Sequence, residues 1–250
     1  MCVSFKENKT IKSVILPSFI EKINNDMFLE CTYLEYIYIP DSVKTIGERA
    51  FRECSNLKTI RFSNSLESIG IDAFMKCTKL TTVTFPESLK TIERYAFSDC
   101  ERLGDIIIPD SVTELGQNAF SNCDSMTSIT FPKNMEEIRS GMCENCENLT
   151  NVVFPENVKI IRGYAFFNCM SYVRPLLKKS LEKIEPEAFG YDWGIDKTFY
   201  EGTQEEFELI DIGSNGNNCI LDKPIYYYSD SEPATPGNFW RYVEGVPTIW

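Results

Sequence analysis

The chain has 250 residues, 43% of them hydrophobic, and 37 acidic against 25 basic side chains leave a net charge of −12. Nucleic acids and anionic membrane surfaces are bound through clustered Lys and Arg, so this balance argues against both as partners. There is no histidine, which removes Ser–His and Cys–His nucleophilic pairs and His-ligated metals together.

The first seven residues, Met1 to Glu7, hold no apolar leader segment. No run along the chain approaches the roughly 18 uninterrupted apolar residues of a membrane span. From about residue 8 the chain repeats. Cys31, Cys54, Cys77, Cys100, Cys123, Cys146 and Cys169 are each 23 residues apart. Three residues after the cysteine stand Leu34, Leu57, Leu80, Leu103, Met126 and Leu149; six after it stand Ile37, Ile60, Val83, Ile106, Ile129 and Val152. Ile39, Phe62, Phe85, Ile108, Phe131 and Phe154 follow, most of them before a proline. An apolar pair three apart (Val43 and Ile46, Leu66 and Ile69) and an Ala-Phe pair (Ala50-Phe51, Ala73-Phe74) complete the unit.

Self-similarity at a fixed period marks a solenoid, whose units cannot bury an apolar face alone and stack to make a core. Each strand is expected to begin near Leu34 and its equivalents. Alternate residues of Ile106-Ile107-Ile108 then point inward, outward and inward. The following proline has no N–H to donate and stops the ladder. The later apolar pair suits one turn of a 3₁₀ or α segment on the opposite wall. The expectation is a right-handed solenoid of parallel short strands with 3₁₀ or irregular returns over residues 8–191. About eight units at ~4.8 Å per strand make a body roughly 40 Å long. Three units depart from the pattern: Asn8 replaces the first cysteine, Met142-Cys143 replaces Ala-Phe, and Pro175 occupies a strand position where the ladder should break.

Residues 192–250 read as a C-terminal capping module over the open apolar end. Thr203-Gln204-Glu205-Glu206 has capping-box spacing, predicting a helix through about Ile210. Asp211 to Asn218 reads as a Gly/Asn loop. Ile225 to Tyr228 reads as a strand, and Phe239–Val243 with Val246–Trp250 as a β-hairpin around Glu244-Gly245.

The repeated residues, Cys-x-x-Leu-x-x-Ile-x-Ile-Pro through Ala-Phe, closely resemble the BspA-type (treponemal-type) leucine-rich-repeat family over about residues 8–191. The resemblance implies a curved, mostly β solenoid serving protein–protein interaction or cell-surface adhesion, and a secreted or surface location.

Chemistry-bearing motifs are few. The cysteine ladder is read as small buried reduced thiols filling a corner between coils, not as a metal or disulfide array. Cys143-Glu144-Asn145-Cys146 is a lone C-x-x-C whose two thiols both face inward by register. Asp211 to Asp222 faintly matches a calcium loop, but Gly213 brings no ligand and the final Glu is missing, so an ordinary turn is preferred. No cofactor and no metal are expected. The remaining candidates stand on the outward strand columns: Tyr36, Tyr38 and Arg61 as anchors, with Lys58 and Asp105 beside them. They suggest a non-enzymatic module that binds a protein partner; the alternative is a structural spacer or cap in a larger surface assembly.

Overall fold

The computed structural model describes residues 4–172, 174–192, 194–234 and 236–250. Most coils carry two short strands. In chain order these are β1 (Ser13–Ile15), β2 (Lys22–Ile23), β3 (Tyr36–Tyr38), β4 (Thr45–Ile46), β5 (Ser68–Ile69), β6 (Thr91–Ile92), β7 (Ile106–Ile107) and β8 (Glu114–Leu115). They continue as β9 (Ser128–Thr130), β10 (Glu137–Ile138), β11 (Asn151–Val153), β12 (Ile160–Ile161), β13 (Leu176–Leu177), β14 (Lys183–Ile184) and β15 (Thr198–Tyr200). The chain ends with α1 (Gln204–Phe207), β16 (Asp211–Ile212), α2 (Asn218–Leu221), β17 (Ile225–Tyr228), β18 (Phe239–Val243) and β19 (Val246–Ile249).

Successive coils pair in parallel at a shift of one repeat, as in Ser13↔Tyr36, Ser128↔Asn151 and Lys22↔Thr45. The front ladder runs through β1-β3, the bridges Tyr38↔Arg61 and Thr59↔Thr82, and then β7-β9-β11. The second ladder runs through β2-β4-β5-β6-β8 and then β10-β12-β14-β16. Inward residues of both ladders meet in one continuous core. Ile106 and Ile108 are buried there and Ile107 is exposed, which is the expected alternation.

Two local expectations change. The strands begin two or three residues after Leu34 and its equivalents. Leu34 and Leu57 are fully buried, but their N–H groups close turns back to the cysteine carbonyls at 3.0 and 2.9 Å, so they end the return. The apolar pair three apart is also not a helical turn: Ile46, Ile69 and Ile92 lie in the two-residue strands of the second ladder.

The i→i−3 turns lie instead at the Ala-Phe corner, where Cys54 N–H bonds Phe51 O at 3.0 Å. They cannot propagate, because Arg49 and Glu53 hold φ of 52° and 61°, and Asp72 and Lys76 repeat this in the next coil. A left-handed non-glycine residue is costly by itself. Here it turns alternate N–H groups outward along the stack: Arg49, Phe51 and Glu53 donate to Ile71, Ala73 and Met75, each at 2.8 Å. The corner thereby becomes a third inter-coil ladder. Asn122, Asn145 and Asn168 occupy the left-handed position further on, where their amides form a chain: Asn122 to Asp99 at 2.7 Å, Asn145 to Asn122 at 2.9 Å, Asn168 to Asn145 at 3.1 Å.

Phe5, Phe28, Phe51, Phe74, Phe97 and Phe120 stack with ring centroids 5.1 to 5.5 Å apart. The stack stops at Cys143 and resumes at Phe166 and Phe189, 5.4 Å apart. Met142 beside Cys143 fills the alanine column, so a large–small exchange keeps that coil's buried volume. In the same coil, β10 lacks pairing to β8; on the front, β13 lacks pairing to β11 near Pro175, as expected.

Beyond residue 191 the ladders continue, first at the 23-residue spacing and then at longer ones. β15 pairs with β13 and β17 with β15, while β16 pairs with β14 inside the segment read as a loop. Fully buried Asn217 substitutes for backbone at this end: its Oδ1 accepts Phe189 N–H (3.1 Å) and its Nδ2 donates to Glu185 O (2.8 Å). The capping box forms both of its bonds, although α1 ends at Phe207. β18 pairs parallel with β17 and antiparallel with β19, and the Glu244-Gly245 turn has φ of 51° and 80°, as a primed hairpin turn requires. Trp240 is fully buried and donates its indole N–H to Tyr200 O at 2.9 Å.

Candidate functional site

The first front strands present a cluster of exposed apolar and aromatic side chains. β1 and β3 place Ile15 beside Tyr38, and the bridge Tyr38↔Arg61 adds the next coil, so Ile15, Tyr38 and Arg61 form one outward column. Tyr36 stands in the neighbouring column next to Lys58. Ile15 and Phe19 are 83% and 81% exposed, and Tyr36 and Tyr38 are about half exposed at 52% and 50%. Ile37 between the tyrosines points into the core, so the pleat holds both rings outward.

Lys58 Nζ meets Glu35 Oε2 at 2.6 Å and sits 5.4 Å from the centre of the Tyr36 ring. The hydrogen bond lowers the Glu35 carboxyl below its ordinary value and raises the Lys58 ammonium. Arg61 is exposed and its guanidinium points from the same face. The structure thus brings Tyr36, Tyr38, Lys58 and Arg61 together. Asp105 does not join them. Its Oδ1 accepts Thr127 N–H (3.1 Å), Thr127 Oγ1–H (2.7 Å) and Ser128 N–H (2.9 Å), latching the following coil.

Sequence reading passed over Ile15 and Phe19. Ile15 lies one period before Tyr38 and was legible by register. Phe19 occupies a column otherwise held by Ser42, Ser65, Ser88 and Ser111. Ser42 and Ser88 donate to the preceding coil's Ile20 and Leu66 carbonyls at 2.6 and 2.7 Å. In the first coil the column carries an aromatic instead.

The thiols have a packing role. Cys54, Cys77, Cys100 and Cys146 each donate Sγ–H to the carbonyl of the phenylalanine 26 residues earlier, at 3.1, 3.2, 3.2 and 3.1 Å. The donors lie in the core, where burial raises the thiol pKa of Cys54, Cys77 and Cys100 far above the ordinary value. Burial likewise raises the Cys143 thiol, which disfavours its thiolate. Cys219 was missed because an insertion breaks the spacing; it resumes the pattern by donating to Phe189 O at 2.9 Å. The calcium-loop residues diverge: Asp211 pairs with Lys183 at 3.0 Å, and Asn215 donates to Glu187 at 3.0 Å. Among the described residues no helix is long and apolar enough to cross a membrane.

A family model described as the BspA type leucine rich repeat region matches residues 3–127 and 69–196, with six copies. Among solved structures, a leucine-rich repeat protein of Treponema pallidum is 34% identical, aligned over 64% of this chain and 77% of its own, with a TM-score of 0.61. A leucine-rich repeat protein of Bacteroides ovatus is 26% identical over 86% of this chain, with a TM-score of 0.71; this chain spans 63% of that one. A search of curated proteins finds no match.

Proposed function

This chain belongs to the BspA-type leucine-rich-repeat family, and from that premise we propose that it is an adhesion-type scaffold that binds a protein partner through its N-terminal strand face. One observation carries the reading: Ile15, Tyr36 and Tyr38 expose apolar surface on two adjoining front strands, bordered by Lys58 and Arg61. Aromatic and Arg side chains dominate interface energetics, and a rigid sheet presents them without an ordering cost. The family match points to no enzyme family.

In this proposal residues 192–250 serve as the cap that covers the last coil, with buried Trp240 as its anchor. The location outside the cell follows from the family resemblance. The test compares partners retained from host-surface extracts by the full chain and by a Tyr36→Ala, Tyr38→Ala, Arg61→Ala variant. The expected result is loss of the retained partner, with about 1–2 kcal/mol of affinity for each anchor. Equal retention by the variant would move the site, and no retained partner would favour a spacer role.

A further inference from the structure

A second opening on the front face lies where the strand ladder breaks. β11 pairs with β9 and β13 with β15, but no pairing joins β11 to β13 among the described residues. In earlier coils Ile108 and Phe131 donate their N–H groups to Thr130 and Val153 carbonyls at 3.0 and 3.1 Å. Phe154, one repeat after Phe131, makes no such bond to Leu176. A groove of about 460 Å³ opens there, lined by residues 150–154, by Arg174 and Lys178, and by Tyr242 and the hairpin tip from Gly245 to Pro247.

The hairpin is pinned at this place. Tyr242 donates its hydroxyl to Glu201 Oε1 at 2.7 Å, and Lys178 reaches the same oxygen at 2.9 Å and Glu156 at 3.2 Å. Lys178 is 11% exposed and spent in this network. Arg174 is different: it faces Asp196 at 3.5 Å and keeps 58% of its side chain exposed.

Two observations point to a ligand. An unpaired strand edge is a template for an added strand, and β11 offers one over Asn151–Val153. The lining carries two cations and no carboxylate, on a chain of net charge −12.

We infer that this groove takes an extended peptide segment bearing a carboxylate, which adds as a strand to the free edge of β11 and sets its acidic group against Arg174. Main-chain bonds to β11 supply the affinity, and Arg174 supplies the preference for acid. The site is separate from the N-terminal face, which lies several coils away on the same side.

The test uses the full chain and a fully randomised nonapeptide library, followed by a synthetic copy of the enriched sequence. The recovered peptides should carry Asp or Glu at one position flanked by β-branched residues. The synthetic peptide should bind at least tenfold more weakly to Arg174→Glu, and be weakened less by Arg174→Gln, which removes the charge without reversing it. It should protect the Phe154 amide from hydrogen exchange and lose binding when its inward amides are N-methylated. The Tyr36→Ala, Tyr38→Ala, Arg61→Ala variant should bind it as the parent does, which keeps this proposal independent of the N-terminal face. Recovered peptides without acid enrichment, unchanged binding to Arg174→Glu, or unaltered Phe154 exchange would overturn it. So would a concentration-dependent dimer abolished by Arg174→Glu, since a second copy would then own the groove.

Discussion

The coils up to Phe120 and those after Cys143 follow one repeat but differ in how faithfully they keep it. In the first group every column continues: phenylalanine on phenylalanine, thiol to carbonyl, left-handed corner to corner. In the second group Cys143, Tyr172 and Asp192 interrupt columns, the strand ladder opens beside Pro175, and side chains such as Asn217 take over backbone bonds. Regular stacking makes a rigid body, because each contact is repeated by its neighbours. Irregular stacking makes clefts and unpaired groups, which are the raw material of specificity. The N-terminal face is an exception, with Ile15 and Phe19 exposed in the first described coil.

The comparison breaks most forcefully at the centre of the phenylalanine stack. Phe74 lies 5.1 Å from both Phe51 and Phe97 and is fully buried. Phe74→Ala should cost about 3–5 kcal/mol in urea denaturation, because it leaves a cavity and ends three ring contacts, the third with Phe62. A loss below about 1 kcal/mol would show that the stack contributes little to the stability of the regular half.

Asp192 sharpens the contrast from the other side. It stands one repeat after Cys169, is 1% exposed, and accepts Cys169 N–H at 2.6 Å while its second oxygen has no partner. Burial raises its pKa from the ordinary carboxyl value to about 9. The folded chain therefore keeps a proton that the unfolded chain releases near pH 4. Stability falls as pH rises between those two values, by at most ~1.4 kcal/mol per pH unit, and levels off above about 9. Asp192→Asn keeps an acceptor for Cys169 and removes the titration. It should stabilise the chain by about 2 kcal/mol or more at pH 8 and by little at pH 4, measured as denaturation midpoints across pH. A variant that gains nothing at pH 8 would refute the neutral buried carboxyl.

A smaller effect is expected at the thiols. Cys77→Ala removes one buried side chain and its bond to Phe51 O, while Cys54 N–H still satisfies that carbonyl at 3.0 Å. The cost should be about 1–2 kcal/mol by chemical denaturation. Native labelling should mark Cys219, half-buried with its thiol raised to about 12, before any described ladder cysteine. Faster labelling of Cys77 would mean that the regular coils open more readily than the irregular end.

Stability should respond least at the N-terminal face. Tyr36→Ala, Tyr38→Ala and Arg61→Ala each remove an outward side chain, so each should change stability by less than about 0.5 kcal/mol. A larger loss would make these residues part of the packing.

The period in the sequence was sufficient for the stacked coils, the inward thiols and the break at Pro175, and local motifs were sufficient for the capping box and the hairpin. Stacking puts every contact one repeat away, so neighbours in space are neighbours in a column of letters: Ile37 beside Val14, Cys54 under Phe28. The same logic placed Tyr36, Tyr38, Lys58 and Arg61 on one face, since outward columns follow the same register. The starts of the strands and the second ladder depended on which carbonyl each N–H reaches. Apolar spacing does not specify that choice, and an apolar pair three apart fits a helical turn as well as a turn entering a strand. Asp105 looked like a surface residue until its oxygen met Thr127 and Ser128. The irregular end depended most on tertiary structure. Trp240 bonds Tyr200 and Tyr242 bonds Glu201 across 40 and 41 residues, separations that no column repeats. What recurs at every coil is written in the sequence; what happens once is decided by where the folded hairpin comes to rest.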